Sequence, residues 1–463
     1  MKNFKFIFFL VCYTNSFSQT PPQEVSDTLQ SILNLGIPSS ISYSGGIMGV
    51  YVPGQWQWNG ASGIAISGNT AGQPLAVANS TDKFRIGSIS KTMMATCILK
   101  LQEQGLLNIE DPISMYLRSS MMTDTIISTG IIKIRHLLNH TSGIANSGDN
   151  ASCSALFMAN QTQAFTLEQS IYCGASQPQL FAPDNDWNYS NTNYSILAMI
   201  VQNVTGMTWP EFVTQTIITP LGLTNTSVPT TSQISGPHMG CYWGSSLDLT
   251  IVNATAYKGW ADVVSTTSDL ILFSENLRNG NIINANSLLL MQTFYTSALA
   301  YEYGLGYDKR IYLGVESWGH FGEVGNTSSM FFVNTSSPRA PNGYYISTNY
   351  NIQGVDDINW LLLPVLRYLK DPSGSISILE KDINAFEIYP NPAKNEINIL
   401  NKTNDQSIKN TYSIQDELGK IIYHSSNLSL INYAIDCSTF NRGIYTLLIE
   451  NDSRTEFHKI ILN

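Results

Sequence analysis

Ser88 and Lys91 stand three residues apart in Phe84-Arg85-Ile86-Gly87-Ser88-Ile89-Ser90-Lys91, a spacing that sets an amine beside a hydroxyl if the segment is helical. A three-residue step turns the chain about 300° at 3.6 residues per turn, so both side chains share one face. A serine hydroxyl is a poor nucleophile until a neighbouring base takes its proton, and a helix N-terminus adds backbone N–H groups that stabilise an oxyanion. Taken alone, Ser-x-x-Lys is a frequent coincidence of surface residues. Two later groups give it weight: Trp187-Asn188-Tyr189-Ser190-Asn191 and Gly319-His320-Phe321-Gly322. Singly, Trp187 and Tyr189 read as core aromatics and His320 as a surface histidine. Together they add side chains that can take or give a proton to the candidate nucleophile Ser88.

The elements that would position these residues are legible in outline. Gly46 to Val52 and Gln55 to Ala61 are β-prone runs joined at Pro53-Gly54, a hairpin signal. Met94, Cys97, Ile98 and Leu101 recur at helical spacing and Gly105 ends the run, which predicts an amphipathic helix opening at Ser88. Residues 105 to 260 carry helix-like runs, including Ser195 to Val204 and Trp209 to Ile218, the latter closed by Pro220 and Gly222. Met330 to Val333 and Tyr344 to Asn349, with the turn Asn342-Gly343, predict an antiparallel pair. Asp356 to Leu369 reads as a helix that Pro364 would kink or stop. Asp371-Pro372-Ser373-Gly374-Ser375 has the composition of a junction. Beyond it, Ile397 to Leu400, Tyr412 to Ile414, Lys420 to Tyr423, Tyr445 to Ile449 and Lys459 to Leu462 predict a small β-sandwich.

Composition narrows the function. The chain has 463 residues, 43% of them hydrophobic, which is enough for a sizeable catalytic core and a second folded unit. Its net charge of −10 repels phosphate backbones and anionic surfaces, so nucleic acid is not an expected partner. Lys2 and Lys5, the apolar run Phe6 to Cys12 and the small residues Ser16 and Ser18 predict a signal peptide over residues 1–18. The run is far short of the about 20 residues a membrane span needs, so export without stable membrane insertion is expected. Setting Cys12 aside leaves Cys97, Cys153, Cys173, Cys241 and Cys437, of which Cys153 and Cys173 flank one stretch and can pair after export. His136 and His140 lie four apart without an accompanying carboxylate motif, so neither a metal site nor an organic cofactor is expected.

The three motifs together resemble the serine β-lactamase and penicillin-binding family, most of all its class C β-lactamase, D-alanyl-D-alanine carboxypeptidase and carboxylesterase branch. Arg135 to Ile144, Asp111-Pro112, Pro220-Leu221-Gly222, Ser265-Thr266 with Asp269, and Gly304-Leu305-Gly306-Tyr307 extend the resemblance over about residues 40 to 370. It implies an α+β fold of the β-lactamase/transpeptidase type, an antiparallel sheet flanked by helices with a helical subdomain, spanning residues 19–370. It also implies roles. Ser88 attacks a carbonyl and becomes acylated, and Lys91 and Tyr189 share the proton, with either able to be the base. Asn191 orients Lys91 and the substrate amide. His320 helps to hold substrate and the protonation state of Tyr189, and the N–H groups of Ser88 and Glu323, beside Gly322, form the oxyanion hole. For Lys91 to act as a base its pKa must be lowered, which we expect from burial and nearby positive charge.

Four departures from that pattern bear on the substrate or on the loops around the site. Phe321 replaces a hydroxyl residue that often holds a substrate carboxylate, and Glu323 adds negative charge, so esters and neutral amides gain over penicillins and D-Ala-D-Ala peptides. Gly325 comes early after the motif, and Asp184 stands where the family often has glycine. The substrate is expected to be a small molecule or peptide, with esterase, D-peptidase or amidase, and β-lactamase activities all open. The alternative is a binding protein that has lost turnover. The tail, from Phe386-Glu387-Ile388-Tyr389-Pro390-Asn391-Pro392 through Gly443-Ile444-Tyr445 to Lys459-Ile460-Ile461, resembles the C-terminal sorting domain of the type IX secretion system. That implies a Bacteroidota-type bacterium, a linker at 371–385, a sorting domain at 386–463 that engages the secretion machinery, and a secreted or cell-surface location.

Overall fold

The computed structural model describes residues 19–37, 43–68, 74–117, 132–243, 247–295, 302–353, 359–370, 386–401, 409–415, 421–428, 432–451 and 454–462. The expected signal peptide at 1–18, with Cys12, and the expected linker at 371–385 lie outside the described residues. The chain divides into two units, the first comprising Met1–Tyr295, Tyr303–Ser336 and Ala340–Ile358, the second Thr296–Glu302, Ser337–Arg339 and Asn359–Asn463.

The main sheet among the described residues has eight strands: β1 (Gly45–Val52), β2 (Trp56–Ile66), β3 (Ala76–Val77), β4 (Glu302–Tyr303), β5 (Asp308–Tyr312), β6 (Val315–Glu323), β7 (Thr327–Val333) and β8 (Tyr344–Tyr350). Their order is β3-β2-β1-β8-β7-β6-β5-β4, so the N-terminal hairpin closes onto the late strands, Gly46 opposite Tyr350. The β1–β2 turn takes the left-handed conformation at Gly54, and the β7–β8 connection does so at Gly343, as the turn residues predict. All seven residues of β7 and all seven of β8 are buried, because these strands are covered on both faces. The helix Thr267–Arg278 packs on β1, β7 and β8.

The helix bearing Lys91 runs Ser90–Glu103 and follows a 3-10 turn at Gly87–Ile89. It is not amphipathic. Every residue from Ser90 to Leu99 is buried, and so is Leu101. Thr92 and Thr96, polar on a helical wheel, are reconciled with the core because their hydroxyls donate to the Gly306 and Thr92 carbonyls at 2.7 and 2.8 Å. The end is as expected: Gly105 N–H bonds the Gln102 carbonyl and Leu106 N–H the Leu101 carbonyl, a Schellman closure around a left-handed Gly105.

A helical region lies between these strands in sequence. Asn191–Thr205 starts earlier than its apolar run implies, and Trp209–Val213 continues through Thr214–Ile218 and Thr219–Leu221 before Gly222 ends it. The disulfide Cys153–Cys173, with Cα atoms 5.8 Å apart, fastens the helix Ala151–Ala159 to the helix Leu167–Ala175. The latter lies so close to its neighbours that a Cβ on Gly174 would sit 1.9 Å from Thr192 Oγ1. Closing a loop with a sequence separation of 20 residues limits the unfolded chain, so Cys173→Ala is expected to lower stability by about 3 kcal/mol. A melting temperature that does not move, with or without reductant, contradicts this. The other described cysteines, Cys97, Cys241 and Cys437, are buried thiols.

In the second unit the helix Asn359–Lys370 runs through Pro364 without stopping there. Strands Phe386–Tyr389, Glu396–Asn401 and Asn432–Asp436 form one sheet, and Ile421–Leu428, Asn410–Gln415, Gly443–Asn451 and Arg454–Leu462 another. Ile397, Ile399 and Ile435 from the first share a core with Ile414, Leu447 and Ile449 from the second, the expected sandwich.

Candidate functional site

Ser88 is half-buried in the 3-10 turn, and Lys91, one helical turn on, is fully buried. Lys91 Nζ lies 2.8 Å from Ser88 Oγ and donates to the Trp260 carbonyl at 3.2 Å. Three aromatic rings enclose the amine, with centroids 4.8 Å (Tyr189), 5.3 Å (Trp260) and 5.6 Å (Tyr194) from Nζ. Burial holds the Lys91 pKa well below the ordinary lysine value. The expected contribution from positive charge is overturned: the charge acting on Lys91 is the Asp262 carboxylate, which raises its pKa and so opposes burial. Asp262 is itself pushed up to about 6 by burial, while it accepts bonds from Gly259 N–H at 3.0 Å and Trp209 Nε1 at 3.2 Å.

Two glycines let β6 meet the serine turn. A Cβ on Gly322 would lie 1.9 Å from the Ile86 carbonyl oxygen, and one on Gly87 would lie 2.4 Å from the Glu323 nitrogen. Gly87 also takes a φ of +55° that other residues resist. Ser328 Oγ, on β7, lies within hydrogen-bond distance of both carbonyls at this seam, Ile86 at 2.9 Å and Gly322 at 3.1 Å. The backbone of Glu323 is thereby set against the turn that carries Ser88.

His320 is buried on β6, where Nδ1 donates to the Phe321 carbonyl, so that Nε2 accepts from the Tyr303 hydroxyl at 2.9 Å. Burial lowers its pKa to about 3, which keeps the ring neutral. Tyr189 lies with its ring centroid 4.3 Å from that of His140 and 6.1 Å from that of Tyr303. Trp187 adjoins the same group, and its Nε1 is buried without a hydrogen-bond partner.

Asn191 opens the helix Asn191–Thr205, and its backbone N–H donates to Asn146 Oδ1 at 3.0 Å. Its side chain makes no hydrogen bond to Lys91 in this structure; its Oδ1 is buried without a partner, and the second bond of Lys91 goes to the Trp260 carbonyl. Glu323 is exposed and accepts from Gln353 Nε2 at 2.9 Å. Phe321 points elsewhere, its ring 4.8 Å from that of Phe331 with the Arg310 guanidinium over it. Gly325, left-handed, turns the tight β6–β7 connection. Asp184 takes the left-handed conformation of the glycine it replaces, and its carboxylate bonds Arg135, His136 Nε2 at 3.0 Å and Thr141 Oγ1 at 3.1 Å. His136 is thus engaged away from His140, and the described residues contain no group of His, Cys, Asp and Glu that could hold a metal ion.

Sequence reasoning missed four members of this site. His140 was read as part of a structural stretch, and Tyr303, Trp260 and Asp262 carried no motif. The proximity of Gly306 and Trp260 to the Lys91 helix is a tertiary fact that spacing cannot show.

A half-buried serine, a buried amine against it and a glycine-bearing strand seated on the serine turn make up the candidate site. Residues 38–361 match the family model described as beta-lactamase, and the chain belongs to that family of serine hydrolases. Residues 387–463 match the secretion system C-terminal sorting domain, which indicates export by type IX secretion. Among curated relatives, the putative penicillin-binding protein PbpX of Bacillus subtilis is 28% identical over 232 residues, covering 50% of this chain and 54% of the relative. Penicillin-binding protein 4* of the same organism is 29% identical over 224 residues, covering 44% and 47%. The chain thus spans about half the length of the curated relatives it matches. Among solved structures, a D-stereospecific amidohydrolase from Streptomyces sp. aligns with a TM-score of 0.65 at 25% identity, covering 76% of this chain and 99% of that one. The D-amino acid amidase of Ochrobactrum anthropi SV3, at 0.62 and 22% identity over 75% and 98%, shares the fold. No described helix is long and apolar enough to cross a membrane.

Proposed function

We propose that this protein is an exported serine hydrolase that cleaves an ester or amide through an acyl-enzyme at Ser88. The observation that carries this reading is the 2.8 Å approach of the buried Lys91 amine to Ser88 Oγ. Ser88 Oγ forms a bond to the substrate carbonyl carbon while its proton passes to Lys91 or Tyr189; the proton then goes to the departing amine or alcohol as the acyl bond breaks. Water repeats the sequence to release the acid. The N–H groups of Ser88 and Glu323 hold the oxyanion, a role supported by the seam at Gly87 and Gly322.

The surroundings favour a substrate with no carboxylate beside the scissile bond. The ring at the β6 position is neutral, and its accepting nitrogen is engaged by Tyr303. Asn191 Oδ1, buried and unsatisfied, suits the N–H of a substrate amide. The sorting domain, together with the signal-peptide pattern read over residues 1–18, supports a mature enzyme outside the cell or on its surface, in a Bacteroidota-type bacterium. Turnover of p-nitrophenyl butyrate, D-phenylalanine amide and a fluorescent penicillin, each with Ser88→Ala beside it, tests the reading. Ser88-dependent turnover of the ester or amide, with slow or no turnover of the penicillin, is expected; a folded protein inert to all three would be a binding protein.

The charge environment gives a pH prediction. A neutral amine is the competent base, so kcat/KM should rise with pH through the lowered Lys91 pKa and then level. Asp262 favours the ammonium form, so Asp262→Asn should move this rise to lower pH. A shift to higher pH contradicts the assignment.

A further inference from the structure

His140 holds Tyr189 from both sides. The backbone N–H of Asn188 donates to the His140 carbonyl at 3.1 Å, and the backbone N–H of Ser190 donates to its Nδ1 at 3.1 Å, so the two residues flanking Tyr189 are bonded to the same histidine. The imidazole then lies against the Tyr189 ring with centroids 4.3 Å apart and planes 39° to one another. The same ring lies 4.9 Å from Tyr303, whose hydroxyl bonds His320. Asn193 Nδ2 lies 3.3 Å from Nδ1, while Asn193 Oδ1 accepts from Ser142 Oγ at 2.8 Å. With two donors facing Nδ1, the proton of the neutral ring belongs on Nε2. That Nε2 is buried and has no hydrogen-bond partner.

The backbone of His140 makes this arrangement harder to explain as packing alone. Its φ is +65°, a left-handed conformation that is uncommon and unfavourable for a histidine. A fully buried imidazole with an unsatisfied nitrogen adds a further penalty. Such costs persist where the surroundings fix the residue for a task.

Resting on the reading in which Tyr189 handles the proton of Ser88, we propose that His140 is the positioning residue for Tyr189, clamping its backbone on both sides and its ring on one face. It touches neither substrate nor Ser88 in this role. It fixes where the phenol sits relative to Lys91, and a displacement of about 1 Å in such a group costs about 10²-fold in rate.

The test uses the full chain and p-nitrophenyl butyrate, with single-turnover acylation measured for wild type, His140→Asn, Tyr189→Phe and the double variant. Asparagine tolerates φ near +65°, so folding is retained, as checked by near-ultraviolet circular dichroism. The expected result is a loss of about 10²-fold in acylation for His140→Asn with KM little changed, and no further loss in the double variant beyond Tyr189→Phe alone. Should His140→Asn not fold, Asn193→Ala keeps the ring and removes one donor; it should lower acylation several-fold in wild type and not in Tyr189→Phe. Losses that multiply independently of Tyr189, or a folded variant at the wild-type rate, overturn the proposal. A Tyr189→Phe variant that is itself unimpaired overturns instead the catalytic reading beneath it, and the two failures are thereby distinguished.

Discussion

Lys91→Met is expected to lower the acylation rate about 10⁴-fold while the protein stays folded. The amine lies 2.8 Å from Ser88 Oγ, and that hydroxyl has no comparable partner among the described hydrogen bonds. Methionine has nearly the volume of lysine, so the enclosure by Tyr189, Tyr194 and Trp260 is refilled without a cavity. Burying an amine already disfavours its charged form, so its removal relieves a penalty even as it takes away the bond to the Trp260 carbonyl. Stability should therefore change by less than about 1.5 kcal/mol. Rate and stability part company here, as they do at sites held in unfavourable environments for function. A variant that keeps its rate, or one that loses rate only because it unfolds, contradicts this assignment.

Gly322→Ala should be almost as damaging for a different reason. The added methyl would lie 1.9 Å from the Ile86 carbonyl oxygen, a backbone atom just ahead of the serine turn, so β6 has to retreat. Retreat carries the Glu323 N–H away from the turn and spoils the oxyanion hole, for which a loss of roughly 10²–10³-fold in kcat is expected. Ser328→Ala offers a milder probe, because it removes the hydroxyl that bridges the Ile86 and Gly322 carbonyls without adding volume. The Gly322 variant should still be labelled at Ser88 by reagents that do not need the hole. Unchanged kcat in Gly322→Ala contradicts the seam model.

The parts of this protein that could be read from sequence are those governed by local rules. Hairpin glycines, the Gly105 closure and the alternation in the tail each depend on neighbours in the chain. The Ser88 to Lys91 spacing is of the same kind, since one helical turn sets it. The helix character of Ser90–Glu103 was misjudged because Thr92 and Thr96 look like a polar face until their carbonyl partners are known. The same holds for electrostatics. Positive charge was expected near Lys91, yet the fold brings Asp262 close and leaves burial as the cause of the shift. The Trp260 carbonyl accepts from Lys91, and backbone atoms leave no trace in residue types. Tyr303 and His140 complete the wall through contacts between distant segments.

The claim on which the rest depends is that Ser88 is the nucleophile that becomes covalently attached to a reacting carbonyl or phosphonyl centre. Intact-mass spectrometry after incubation with a fluorophosphonate and with a fluorescent penicillin, followed by peptide mapping, measures this directly. The account predicts one adduct per chain from the fluorophosphonate, mapped to the peptide containing Ser88 and absent from Ser88→Ala. A folded protein that takes no label, or one labelled equally in Ser88→Ala, would contradict it.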